Sequence, residues 1–242
     1  MRTQVFYGNV ELTRWCIVSS LRRPPLVREA SSEQVPGRDG AILTGVRTLP
    51  SETVLTLTVK GGTDEDRQDA LRSLKAALAT DEPQRLAISI DNGIYQMALA
   101  TFDGEITRYE NASQFDVTFT AFDPISYGEQ RTITVPSSGS VSFNVGGTYP
   151  TMPLISAPEA ANGAGGFWKL AKEDGTYVIA TVPDGLSSAP VVVDCAKRTL
   201  TVNSTSALLQ PAADWLVLEP GDHTLTMTGT GAATVTFDER WM

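Results

Sequence analysis

The C-terminal segment alternates apolar and β-branched polar residues with a period of two, which restricts it to extended strands. The stretch "HTLTMTG" (223–229) alternates in this way, and so does "ATVTFD" (233–238). Such alternation is typical of strands with one buried and one exposed face. Pro220 and Gly221 predict a turn before the first strand, and the glycines around Thr230 predict a loop between the two. We therefore expect a closing antiparallel β-hairpin whose apolar residues cover a core: Leu225, Met227, Val235 and Phe237.

The N-terminal half predicts strands around one helix. The stretches "TVLTLTVK" (53–60) and "FDVTFTAFDP" (115–124) alternate as strands, and "RLAISI" (85–90) leads through Asp-Asn-Gly into a second hairpin. Thr63 can cap a helix over about 64–79, because acidic residues follow it and apolar residues then recur every three or four positions. A capped helix start accounts for that acidic run without a metal site.

From about residue 129 the residue pattern of the sequence changes. Helical periodicity ends, and short alternating segments are separated by Gly, Pro and Ser. This spacing is typical of an all-β sandwich of the jelly-roll kind. We therefore expect a mainly β protein of two domains, with residues 1–128 holding the helix and residues 129–242 forming the sandwich.

One segment follows neither pattern. Residues 20–40, "SLRRPPLVREASSEQVPGRDG", contain tandem prolines and four arginines and show no alternation. They predict a long excursion without packed structure. Two interpretations stay open, a surface loop and an arm that becomes ordered against a neighbouring subunit.

Composition excludes several classes of function. The formal net charge of -9 argues against a nucleic-acid-binding face, which needs clustered Lys and Arg. No apolar run approaches the length of a membrane helix, and the N-terminal residues lack the apolar segment of a secretory signal, so we expect neither membrane insertion nor export. Cys16 and Cys195 have no metal-ligand spacing; we expect two buried hydrophobic residues, although a bridge between them stays possible.

The sequence offers no candidate catalytic, cofactor-binding or metal-binding residues. The single histidine, His223, follows a turn, where we expect it at the surface and without a catalytic partner. The glycine-rich stretch 162–170 lacks a phosphate-binding pattern, and its glycines are expected to turn the backbone. Phe167 and Trp168 beside it could stack on a sugar ring, or they could pack in the core as the alternation to Leu170 suggests.

Several segments, taken in order, resemble one protein family: "VELTRWCIVSS", "VPGRDGA", "LRSLKAALATDEPQRLAI", "VTFTAFDP", "YPTMPLISAP", "VVVDCAKRTLTVN" and "WLVLEPGDHTLTMTGTGAATVTFDERWM". Their order and spacing are similar to those of the distal tail proteins of long-tailed, non-contractile bacteriophages, the siphoviruses. The resemblance spans nearly the whole sequence.

The resemblance implies a structural protein of the virion that is not an enzyme. Members of the family form a ring, generally of six subunits, at the distal end of the tail tube. The N-terminal domain makes the ring, the C-terminal domain is a galectin-like jelly roll, and DNA passes through the lumen. The implied partners are further copies of the same protein, the tail tube protein, the tape measure and the hub or fibre protein of the tail tip. Assembly would take place in the host cytoplasm.

The alternative function is a carbohydrate-binding module. In this interpretation the second domain recognises a glycan of the host cell wall, with Trp168 as the stacking platform.

Overall fold

The structure, a computed structural model, describes residues 3–24, 27–60, 62–163 and 166–242. The protein divides into two compact units, Met1–Ser126 and Tyr127–Trp241.

The first unit combines antiparallel strands with the helix α1 (Asp64–Leu78). Short 3-10 turns lie at Leu12–Arg14 and Ser89–Asp91. Its strands are β1 (Val5–Tyr7), β2 (Val10–Glu11), β3 (Ile17–Arg22), β4 (Arg28–Glu33), β5 (Ile42–Thr48), β6 (Ser51–Lys60), β7 (Gln84–Ile88), β8 (Tyr95–Tyr109) and β9 (Ala112–Ala121).

The long strand β8 joins two sheets of the first unit. Its beginning pairs with β7 in the order β2-β1-β7-β8, and its remainder pairs with β9 in the order β3-β6-β9-β8. The predicted hairpin of β7 and β8 is confirmed, although β7 ends at Ile88 and the turn includes Asn92 in the left-handed conformation. The predicted alternation of β6 and β9 is also confirmed, because Leu55, Leu57 and Phe119 are buried.

The helix begins at a capping box. Thr63 Oγ1 accepts a hydrogen bond from Asp66 N at 3.1 Å, and Thr63 N donates to Asp66 Oδ2 at 3.1 Å. These bonds satisfy two backbone amides that the first turn leaves without partners. The predicted cap is therefore confirmed, and so is the apolar stripe, whose leucines Leu71, Leu74 and Leu78 are buried.

The second unit is a sandwich of two antiparallel sheets. One has the order β17-β16-β15-β12-β19-β10 and the other the order β11-β18-β13-β14, with the core between them. The strands are β10 (Ser126–Val135), β11 (Ser140–Val145), β12 (Leu154–Ala160), β13 (Trp168–Lys172), β14 (Tyr177–Ala180), β15 (Ala189–Asp194), β16 (Thr199–Val202), β17 (Thr205–Ala207), β18 (Gly221–Thr228) and β19 (Ala233–Trp241). The mainly β class with one helix among the described residues agrees with the sequence-based prediction.

The predicted closing hairpin is wrong. Strands β18 and β19 belong to different sheets, because β18 pairs with β11 and β13 while β19 pairs with β12. Thr230, between them, exchanges two backbone hydrogen bonds with Ala161, at 3.0 and 3.1 Å, instead of closing a hairpin loop. Alternation identifies the buried face of a strand but not its partner. The four predicted core residues are nevertheless buried: Leu225, Met227, Val235 and Phe237.

The segment 20–40 is not a structureless excursion. It includes the end of β3 and all of β4, which pairs antiparallel with β5 to form a separate two-stranded sheet. Residues 25–26, the second proline of the tandem pair and its neighbour, lie outside the described residues. At the tip, Arg38 N donates to Val35 O at 3.2 Å, and Pro36 is followed by Gly37 with φ of 81°. Proline and a positive-φ glycine are the residues that a type II turn requires.

Candidate interaction surfaces

The β4–β5 hairpin, defined here as residues 28–48, exposes nearly all of its side chains. Every residue of β4 is exposed, and β5 is exposed except at Thr48. Leu43 is 61 % exposed and Val46 is 55 % exposed. A two-stranded hairpin is marginally stable by itself, and exposed aliphatic residues on it favour association with another surface.

The two faces of this hairpin differ in character. Ala30 pairs with Val46 and Ser32 pairs with Leu43. Ala30 and Ser32 are two positions apart on β4 and share one face with their partners, because a β-bulge adds one residue to β5 between the two pairs. This face carries Leu43 and Val46 and is the more apolar of the two. On the opposite face Arg47 forms an ion pair with Glu29, with Nε 2.7 Å from Oε2. The apolar face is the candidate contact surface.

The base of the hairpin is fixed to the first unit. Leu49 N donates to Val27 O at 2.9 Å. Just before the hairpin, Arg23 binds Asp91 through two parallel hydrogen bonds, with Nη1 2.9 Å from Oδ1 and Nη2 2.7 Å from Oδ2. Arg23 Nε also donates to Thr53 Oγ1 at 3.3 Å. Such a bidentate pair gives the start of the hairpin a defined direction.

A second exposed surface, here called the outer patch, lies on the outward face of β1, β7 and β8. The register places Phe6 opposite Ala87, and Ala87 opposite Tyr95. Met97 pairs with Arg85 on the same face. Phe6 and Met97 are each 39 % exposed, and Arg85 lies 4.1 Å from the centroid of the Tyr95 ring. The outer patch therefore combines exposed apolar area with one guanidinium group.

The sequence indicates only part of one surface, because the segment 20–40, with its open interpretation as an arm, includes β4 but not β5. The aliphatic residues of β5, among them Leu43 and Val46, are a usable signal, but they lie beyond the segment that the sequence indicates as an excursion. The outer patch gives no signal, because its apolar residues look like ordinary strand residues until the register shows which face they share.

The prediction that His223 lies at the surface is wrong. The residue is 7 % exposed and lies on the buried face of β18. Its Nδ1 lies 2.7 Å from Glu173 Oε1, and its Nε2 lies 2.7 Å from Glu219 O. The preceding turn brings the residue to the face of the strand that also holds Leu225 and Met227, two and four residues later. Both ring nitrogens are thus engaged in structural contacts.

The hypothesis that Trp168 stacks on a sugar is wrong. Trp168 has no exposed surface and belongs to the sandwich core, while Phe167 is half-buried beside it. Residues 164–165 of the glycine-rich stretch lie outside the described residues; Gly163 N donates to Phe167 O at 2.9 Å across it. The carbohydrate-binding alternative therefore loses the platform on which it is based.

Both cysteines are free and buried, so the bridge that the sequence leaves open between them is absent. Cys16 Sγ donates to Leu12 O at 3.3 Å. Burial raises the pKa of the Cys16 thiol to about 12. Burial also raises the pKa of the Cys195 thiol to about 12, against the lowering effect of a hydrogen bond from the Leu216 backbone.

Across the described residues, no three His, Cys, Asp or Glu side chains come together in a way that could hold a metal ion. None of the helices in the same ranges combines the length and apolar character that a membrane span requires.

Exposed apolar surfaces of this kind are typical of proteins that assemble with other proteins. Two family models match the sequence of this protein. Residues 15–121 match the phage tail protein RIFT-related domain, and residues 146–241 match the C-terminal domain of the siphovirus-type tail component. The chain belongs to the distal tail, or tail hub, proteins of siphoviruses, and it is a structural component of the phage tail and hence of the virion.

The fold agrees with that assignment. The crystal structure of the Dit (gp 19.1) protein of phage SPP1 is similar over 100 % of both proteins, with a TM-score of 0.80 and 20 % sequence identity. A subunit of the phage p2 baseplate in its activated conformation with Sr is less similar, with a TM-score of 0.49 and 8 % identity over 98 % of this protein and 97 % of that one. A comparison with curated proteins finds no relative.

Proposed function

We propose that the protein forms a closed ring at the distal end of the tail tube, in which the β4–β5 hairpin of each copy contacts the first unit of the next. The observation that carries this proposal is the apolar face of the hairpin, with Leu43 and Val46 more than half exposed. The ring has six copies, as the family resemblance implies.

The receiving surface in this proposal is the outer patch. It and the hairpin are two different surfaces of one protein, so contact between them is head-to-tail, and such contacts form rings when the rotation closes. Arg85 on the outer patch offers a partner to an exposed acidic side chain at the tip of the hairpin, Asp39. Polar complementarity of this kind would set the register while the apolar residues supply the contact area.

The lumen of the ring would let DNA pass without binding it. Six copies would carry a formal charge of -54 (6 × -9). A negatively charged channel repels phosphate and would keep the DNA from adhering to its wall.

The ring would join the tail tube to the host-adsorption device. Its partners would be the tail tube protein, the tape measure and the hub or fibre protein. SPP1 Dit, similar in fold, is described as a paradigm of the hub adsorption apparatus of phages that infect Gram-positive hosts, which supports this placement. Assembly in the host cytoplasm and contact with a host glycan stay predictions, the latter without an assigned site.

The test compares the oligomeric state of three proteins by light scattering and negative-stain microscopy. The wild-type protein at high concentration should give rings with a central hole. The double variant Leu43→Ser, Val46→Ser should shift this equilibrium to monomers. Leu208→Ser removes a leucine that is 94 % exposed in the second unit and serves as the matched control, which should still form rings.

Two results would contradict the proposal. Rings that persist in the double variant would show that the hairpin face is not the contact. A wild-type protein that stays monomeric even with purified tail tube protein would argue against ring formation itself.

A further inference from the structure

Two Asn-Gly sequences occur in the protein, Asn92–Gly93 and Asn162–Gly163. They differ in exposure and in hydrogen bonding. Asn-Gly is the dipeptide most prone to spontaneous loss of ammonia from the asparagine, because glycine places no Cβ beside the attacking nitrogen. The reaction needs an asparagine carboxamide and a following backbone N–H that are both free to move. The two sites can be compared within one molecule.

Asn92–Gly93 is open to this reaction. Both residues are exposed in the turn between β7 and β8. Among the residues that the structure describes, neither the Asn92 carboxamide nor the Gly93 N–H has a hydrogen bond. Apart from the chain neighbours of Gly93, no residue has an atom within 4 Å of the position where a Cβ on this glycine would stand, so the turn is open around it.

Asn162–Gly163 is held in place instead. Asn162 Nδ2 donates to Val182 O at 3.0 Å, and Asn162 Oδ1 accepts from Val182 N at 2.8 Å. Gly163 N donates to Phe167 O at 2.9 Å, so the attacking nitrogen is also engaged. A Cβ on Gly163 would lie 2.7 Å from the backbone of Gly229, so this glycine is closely packed. Three hydrogen bonds must open before this site can react.

We propose that Asn92–Gly93 is a site of spontaneous deamidation and that the fold protects Asn162–Gly163 from the same reaction. The Gly93 nitrogen loses its proton to hydroxide and attacks Asn92 Cγ. A bond forms between that nitrogen and Cγ, the bond between Cγ and Nδ2 breaks, and Nδ2 takes a proton from water and leaves as ammonia, which regenerates the hydroxide. Water then opens the five-membered imide at either carbonyl, giving aspartate or isoaspartate. The net reaction consumes one water, releases one ammonia and needs no oxidant or further reactant.

The product places a new carboxylate next to Asp91, whose own carboxylate binds Arg23 at the base of the hairpin. Isoaspartate would also insert an extra backbone carbon at a residue with φ of 49° and ψ of 47°. The modification thus changes both the charge and the backbone of the turn that orients the hairpin.

The experiment incubates the folded full-length protein in mildly alkaline buffer and follows both sites by peptide mass mapping over time. The Asn92 peptide should gain about one dalton, as the loss of ammonia and the gain of water require, and yield a second, isoaspartate-containing species. The Asn162 peptide should react at least about tenfold more slowly, because of the hydrogen bonds that must open first. In concentrated urea the two rates should become similar, which separates the effect of the fold from that of sequence.

One control variant and two contradicting outcomes decide the proposal. Asn92→Asp should abolish the mass change at this site and leave the slow change at Asn162 unaltered. Folded protein in which Asn92 reacts no faster than Asn162 would overturn the proposal. A difference that persists unchanged in urea would overturn the claim that the fold protects the second site.

Discussion

The Glu173 carboxylate holds the imidazole of His223, with Oε1 2.7 Å from Nδ1, while the other ring nitrogen lies 2.7 Å from the Glu219 carbonyl oxygen. Glu173 Oε2 also accepts a hydrogen bond from Thr224 N at 2.8 Å. The pair ties the turn after β13 to the beginning of β18.

Replacing Glu173 by Gln should make the second unit less stable at neutral pH and flatten the acid side of its stability profile. Desolvation by burial would raise the pKa of Glu173, but hydrogen bonds from Thr224 and His223 outweigh it and hold the pKa below the ordinary 4.5. A carboxyl group with a lowered pKa stabilises the fold above its unfolded-state pKa, and this contribution disappears as the pH falls through the folded-state value. Urea unfolding at a series of pH values from acid to neutral measures the effect.

The exposed carboxylate of Asp184 provides the control for that change. Asp184→Asn removes the same charge without touching the histidine contact, so the pH profile should keep its wild-type slope. An equal flattening in both variants would assign the pH dependence to net charge instead of to the pair.

Phe237→Ala should lower the free energy of unfolding of the second unit by about 3 to 5 kcal/mol. The ring is 3 % exposed and its centroid lies 5.8 Å from that of Phe143, so truncation leaves a cavity between the two sheets. Chemical denaturation followed by intrinsic fluorescence gives the value. Leu208→Ala, at a residue that is 94 % exposed, should change the stability little. A loss below about 1 kcal/mol for Phe237→Ala would remove this ring from the core.

Much of the fold could be predicted because the spacing of apolar residues along the sequence indicates the buried face of each strand or helix. The strands β6 and β9 and the helix capped at Thr63 follow directly from that information. Strand pairing could not be predicted in the same way, because β18 and β19 alternate equally well whether they pair with each other or lie in opposite sheets. The backbone contact between Thr230 and Ala161, distant in sequence, decides between them.

The candidate surfaces depend on a different kind of information. Every residue of β4 is exposed, so its sequence shows no alternation of buried apolar and exposed polar positions. His223 illustrates the opposite case. It shares the alternation of Leu225 and Met227, so the pattern indicates a buried face, and the prediction of a surface position is wrong because it relies on the usual exposure of histidines beside turns.

Thr63→Ala should destabilise the first unit by about 1 kcal/mol. The substitution removes the oxygen that accepts from Asp66 N and leaves that amide without its partner at the start of the helix. Thermal unfolding monitored by far-ultraviolet circular dichroism measures the loss. Thr63→Ser keeps the hydroxyl group and should remain close to wild type. An equal loss in both variants would indicate that the methyl group, not the cap, matters at this position.

Neither cysteine should react with a thiol reagent while the protein is folded. With pKa values of about 12, only about one thiol in ten thousand is ionised at pH 8, compared with about one in ten at the ordinary value of 9.0. Burial of Cys16 and Cys195 also blocks the approach of the reagent. A colorimetric thiol titration should therefore detect two groups in urea and essentially none in native buffer. Rapid reaction of one native thiol would show that its unit opens readily.

Replacing residues 28–48 by a short Gly-Ser turn should preserve the first unit and abolish the ring. The cut retains the backbone hydrogen bond between Val27 and Leu49 and the Arg23–Asp91 ion pair, so the base of the hairpin stays fixed. Circular dichroism and the urea midpoint should therefore remain near wild type, while light scattering should report monomers. If rings still form, the hairpin is a surface loop and the subunit contact lies elsewhere. If the urea midpoint falls sharply, the hairpin stabilises its own unit. The double serine variant then tests whether exposed Leu43 and Val46 form the subunit contact.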